Sequence, residues 1–155
     1  MIIYVLISLA VIAVDQLAKW WIVQNVAFGE TIFSGNGIVS ITHIRNEGAA
    51  WSILEGQMWF FYVITIITVG VVGYFLWKLH RDSRWLAVGL SLILGGALGN
   101  FIDRLYYKNV VDMIQLDFIN FPIFNIADMA LSIGVVCVLI YIIKDEKKSK
   151  VELND

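Results

Sequence analysis

The sequence predicts an all-α membrane core of four transmembrane helices, with a small extracytoplasmic β-sheet and loop region attached. Three observations carry that expectation. Of the 155 residues, 59% are hydrophobic and 15% charged, against about 45–50% and about 25% in an ordinary soluble domain. The apolar residues gather into four runs, each near the roughly 20 residues that a helix needs to cross a bilayer. Between the first two runs lies a glycine-punctuated stretch with short β-like segments such as IVSITHI, too long for a plain connection between helices.

The first run covers residues 1–23. A cleaved signal peptide would want a basic start and a small-residue cleavage site. The run has neither clearly, and Asp15 interrupts it, so a retained helix is expected. Asp15 and Lys19 are four apart and share one helix face. They read as a structural ion pair that lets both charges survive in an apolar setting. Trp20 and Trp21 follow as an interfacial anchor.

Residues 24–57 form the first outer loop. Gly48 offers the backbone freedom that a tight turn or close approach requires. Asn46 can donate and accept, which suits a residue that grips a substrate backbone. The segment Asn46–Ser52 reads as a turn opening a short interfacial helix and as a candidate lid. His43 is expected at a polar surface and Arg45 against lipid headgroups.

Residues 58–77 are free of charge and form the second span. A cytoplasmic loop, 78–84, leads to the third span, 85–102. Gly95 and Gly99 make a GxxxG there, which permits close helix approach. Residues 103–121 form a second outer segment. Pro122 suits the first turn of a fourth helix, which spans residues 122–143. The charged stretch 144–155 reads as a disordered cytoplasmic tail.

Orientation follows from the basic residues. The 78–84 loop carries Lys78, Arg81 and Arg84, and the tail carries Lys144, Lys147, Lys148 and Lys150. The longer 24–57 loop carries Arg45 alone. The positive-inside rule then places both termini in the cytoplasm and both long segments outside.

Several functional classes drop out. One cysteine, Cys137, excludes an internal disulfide framework. With two histidines besides, no zinc ligand set exists. No cofactor, metal or nucleic-acid partner is expected. What stands out is a polar cluster in an apolar chain, between Gly95 and Ala130. Asp112 and Asp128 sit at the edges of apolar segments, where an ionised carboxylate is costly and usually functional. Two close carboxylates share a proton, as an aspartic peptidase requires: one takes a proton from water while its partner supplies one. Asn100 and Asn125 can orient carboxylates or hold substrate carbonyls, and Arg104 can bias nearby ionisation or meet a phosphate. Asp103 reads as a structural neighbour of Arg104, and Asp117 and Asn120 as ordinary loop residues. On residues alone, a small proton-coupled transporter or channel subunit stays open as an alternative, as does a non-catalytic assembly factor.

Five ordered blocks narrow that choice. DQLAK at 15–19, NEGAAWS at 46–52, GGALGNFIDR at 95–104, VVDMI at 110–114 and FNIADMA at 124–130 together resemble the motif set of the lipoprotein signal peptidases, the signal peptidase II family. Phe101 and Trp51 depart mildly from the family pattern, at positions without acid–base chemistry. The resemblance implies a small bacterial aspartic endopeptidase of the cytoplasmic membrane. Its substrate would be a prolipoprotein, cut just before a cysteine already carrying diacylglycerol. Asp112 and Asp128 would be catalytic, Asp15 and Lys19 supporting, and the protein a monomer in contact with membrane lipid.

Overall fold

A computed structural model describes residues 1–35, 37–48 and 53–152, with side chains to Asp145. The elements run α1 (Ile2–Asn25), β1 (Thr31–Ile32), β2 (Val39–Asn46), α2 (Met58–Leu79), α3 (Arg84–Tyr107), β3 (Val110–Leu116) and α4 (Ile126–Glu152). All four helices are long and apolar enough to cross a membrane. Their large side chains point outward: Leu17, Trp59, Ile66, Trp77 and Val136 are each about half exposed or more. That inversion suits helices whose solvent is hydrocarbon.

The helix α3 is the centre of the bundle. Over half of its apolar window is buried, 56%, against 17% in α1 and α2. Its glycines are the reason. A Cβ on Gly96 would lie 2.4 Å from the Ala127 carbonyl oxygen, and one on Gly89 2.8 Å from that of Gly134, both on α4. One on Gly95 would meet Ser8 and Val11 of α1, and one on Gly99 would meet Asp15. The GxxxG pair therefore faces α1, while Gly89 and Gly96 admit α4. Backbones approach closely where side chains are missing. Ser8 Oγ adds a buried hydrogen bond to the Ser91 carbonyl at 2.8 Å.

The helix α3 runs past the expected end at 102, so Asp103 and Arg104 are helical. Lys108 closes it in the left-handed conformation, φ 61°. The segment after α3 then supplies a strand, β3, that the sequence alone does not announce. The sheet is three-stranded and antiparallel, in the order β1-β2-β3, so the first loop cannot build it alone. Val111 and Met113 on β3 bury themselves against Ile22 and Val26 at the end of α1.

Three further expectations are corrected. Pro122 does not open α4. Residues 122–124 lie outside the helix, and Phe124 exchanges backbone hydrogen bonds with Ile114. The stronger start signal is Asn125, a favoured cap residue, and the helix begins after it. At the other end α4 remains helical to Glu152 where a disordered tail was expected. His43 is also buried, at 3% exposure, instead of lying at a polar surface.

Candidate active site

The site is assembled where α4 begins, β3 passes and α3 ends. Asn125 caps α4 reciprocally. Its Oδ1 accepts the Asp128 backbone N–H at 3.0 Å, while Asp128 Oδ2 accepts the Asn125 N–H at 3.2 Å. This is a capping box, and it places Asp128 in the first turn of α4. A helix begun at Pro122 would instead put Asp128 about 9 Å along its axis.

The amide of Asn125 also reaches across to β3. Its Nδ2 donates to Asp112 Oδ1 at 2.7 Å and to Asn100 Oδ1 at 3.1 Å. Asn100 in turn donates to Asp128 Oδ1 at 2.7 Å. Each carboxylate thus receives one side-chain amide on one oxygen, and Asn125 binds both residues. Asp112 Oδ2 accepts a further hydrogen bond from Asn46 Nδ2 at 3.0 Å. Asn46 uses its own Oδ1 to accept the Gly48 N–H at 2.8 Å. The amide nitrogen of Asn46, a residue expected to grip substrate, is thus engaged with Asp112.

Burial pushes the Asp112 carboxyl up to about 6, and the charge of Asp128 adds to the rise. The hydrogen bonds from Asn46 and Asn125 oppose it. An acid that is hard to ionise thus stands beside a second carboxylate.

Behind this pair lies a charged layer. Lys19 Nζ meets Asp15 Oδ2 at 2.8 Å, Asp103 Oδ2 at 2.9 Å and Asn100 Oδ1 at 2.9 Å. All three donor positions of the ammonium are used. Gln16, which sequence reasoning passed over, donates to Asp103 Oδ1 at 2.8 Å and to the Gly99 carbonyl at 3.2 Å. Asp103 therefore pairs with Lys19 and not with Arg104, as a result of α3 presenting it to α1. The signal for Gln16 was available: it sits between two charged residues in a span and needs partners itself.

Arg104 faces the other way. Its Nη2 donates to the Gly48 carbonyl at 3.2 Å, and its guanidinium lies 4.5 Å from the Phe61 ring centroid. It joins Asp112 and Asp128 in lining a cavity of about 600 Å³. The rest of the wall is mainly apolar, with Leu116, Phe121, Phe124, Met129 and Ile133. The cavity thus offers two carboxylates at one part and a surface fit for hydrocarbon at another. Of the lid segment, residues 49–52 lie outside the described residues. Among the described residues no cluster of three His, Cys, Asp or Glu could hold a metal ion.

Comparison with known proteins shows the family. The family model described as signal peptidase (SPase) II matches residues 7–144. A protein of Latilactobacillus sakei subsp. sakei (strain 23K), named lipoprotein signal peptidase, is 53% identical over 95% of this chain and 97% of its own. One of the same name from Enterococcus faecalis (strain ATCC 700802 / V583) is 53% identical, covering 97% of this chain and 93% of its own. A bacterial membrane enzyme structure, solved by the in meso method at 2.3 Å resolution, superimposes with a TM-score of 0.90 at 40% identity, covering 96% of this chain and 92% of that one. With the family match spanning most of its length, this chain belongs to the signal peptidase II family and is a multi-pass membrane aspartic peptidase.

Proposed function

We propose that Asp112 and Asp128 are the dyad with which this protein hydrolyses the signal peptides of lipoproteins. The observation that carries this reading is the bridge made by Asn125, which holds both carboxylates beside one cavity. Roles follow from the surroundings. Asp128 accepts three things well suited to an anion: the Asn100 amide, the Asn125 N–H and a place at a helix N-terminus. Asp112, buried on β3, keeps its proton to about pH 6. Asp128 then takes a proton from water as the oxygen adds to the scissile carbonyl. Asp112 gives its proton to the carbonyl oxygen. Collapse returns that proton to Asp112, and Asp128 protonates the departing nitrogen.

The substrate reading goes further than the family. We infer a prolipoprotein bearing diacylglycerol on the cysteine after the cut, entering sideways from the bilayer. The largely apolar cavity wall supports this, since both signal peptide and acyl chains are hydrocarbon-like. The distribution of Lys and Arg supports cytoplasmic termini, with the sheet and dyad at the outer face of the cytoplasmic membrane. Water reaches that depth, whereas it is absent from the bilayer centre. Asn46, Asn100 and Asn125 orient the dyad. Gly48 and Arg104 tie the turn after β2 to α3. The protein acts as a monomer, with lipid as its surroundings.

The direct test is cleavage of a lipidated precursor by Asp112→Asn and Asp128→Asn. Each is expected to lose activity while still inserting and folding. Activity within about tenfold of wild type, roughly 1.4 kcal/mol of barrier, would remove that residue from the mechanism.

A further inference from the structure

The strand β2 carries one more residue than its partner between two pairs. Ile41 faces Ile114 and Ile44 faces Asp112. Two residues, Thr42 and His43, thus oppose Met113 alone. This is a β-bulge, a device that re-aims side chains. The consequence for the site can be counted. Side chains alternate along a strand, so in an unbroken strand Ile41 would share its face with His43 and Arg45. Across the bulge it shares that face with Ile44 and Asn46 instead. Asp112 lies on the same face, two residues from Val110, the partner of Asn46. Without the extra residue Arg45 would face the dyad, and Asn46 would point away.

His43 holds the bulge in place. Its ring is buried, with 3% exposure, in a T-shaped contact with Phe28. Its Nδ1 lies 2.8 Å from the carbonyl oxygen of Val26, the residue that ends α1. That oxygen only accepts, so Nδ1 carries the proton and donates. The main chain of His43 is fixed too: its N–H donates to the Glu30 carbonyl at 3.1 Å, and its carbonyl accepts from Gly29 at 2.8 Å. Among the described residues the buried Nε2 has no hydrogen-bond partner, so the contact that ties the ring to α1 is the one made by Nδ1.

We infer that His43 is a positioning residue for the dyad: by pinning the bulge to the end of α1, it sets the register that brings Asn46 onto Asp112. It touches neither carboxylate and acts through Asn46. The inference rests on the dyad assignment above.

The test is a double-mutant cycle read from the pH dependence of kcat. Asn46 favours the ionised form of Asp112, so losing it raises the pH at which Asp112 gives up its proton. The alkaline limb of the profile should therefore move upward in Asn46→Ala, by about half to one pH unit for one hydrogen bond. His43→Leu is expected to give the same shift, with KM little changed. His43→Leu combined with Asn46→Ala should shift no further. His43→Asn, whose amide can still donate to Val26, should restore the wild-type profile. If His43→Leu fails to accumulate, His43→Gln replaces it, since its longer side chain carries the amide past the Nδ1 position. A normal profile in folded His43→Leu or His43→Gln, or shifts that add in the double variant, would overturn the inference. A wrong dyad is detected separately, by activity remaining in Asp112→Asn.

Discussion

The carboxylate of Asp15 on α1 accepts the backbone N–H of Ala127 at 2.9 Å and so caps the helix that carries Asp128. The ion pair expected between Asp15 and Lys19 is present, but it is one part of a larger link. Asp15 satisfies an N–H at the N-terminus of α4, Lys19 holds Asn100, and Asn100 holds Asp128.

Removing one charge from this layer leaves others buried without compensation. Lys19→Ala would strand Asp15 and Asp103, each almost fully buried. A loss of about 3–5 kcal/mol is expected. Asp15→Ala should also lose stability, with activity falling in proportion to folded protein. Thermal unfolding in detergent, with activity normalised to folded protein, checks both. A fully stable but inactive Asp15→Ala would contradict the supporting role.

Glycine substitutions should separate by position. Gly96→Ala sets a methyl group 2.4 Å from the Ala127 carbonyl oxygen. Overpacking of this kind costs about 1–3 kcal/mol, and here it pushes on the first turn of α4. Gly70→Ala on α2 meets nothing within 4 Å and gains up to about 1 kcal/mol from helix propensity. Equal melting temperatures for the two variants would contradict this packing.

The raised Asp112 carboxyl has a defined pH signature. A singly protonated dyad needs Asp112 to keep its proton, so the cleavage rate should fall as pH rises through about 6. Stability should move in the same direction. The folded value lies above the ordinary 3.8, so this group's contribution is full below 3.8 and is lost as pH rises to about 6. The loss amounts to roughly 3 kcal/mol. Unfolding measured across that window for wild type and for Asp112→Asn should show a smaller pH dependence in the variant. Identical slopes would remove Asp112 as the source.

Metal removal should do nothing. With the proposed Asp112–Asp128 dyad carrying cleavage, EDTA is expected to leave the rate unchanged. A loss with EDTA that one added divalent metal restores would require a different mechanism.

The sequence by itself determined the four helices, because an apolar run near 20 residues has one low-energy state in lipid. It also marked Asp112, Asp128, Asn100 and Asn125, since polar groups in such a chain are costly enough to need a purpose. It did not determine how those groups pair. Asp103 adjoins Arg104 in sequence but pairs with Lys19 in space, because α3 runs on past residue 102 and turns Asp103 toward α1. Pro122 looked like a helix start, yet a cap that binds two residues of the site outweighed it at Asn125. The strand β3 was hidden in a short stretch whose apolar residues, Val111 and Met113, bury only against α1 and the sheet. The three-residue spacing of Ile41 and Ile44 was a visible break in alternation, but only the register against β3 shows that it turns Asn46 to Asp112. Local pattern fixes which segments enter the membrane. The dyad depends on contacts between residues far apart in the chain, and those are decided when glycine-lined helices close on one another.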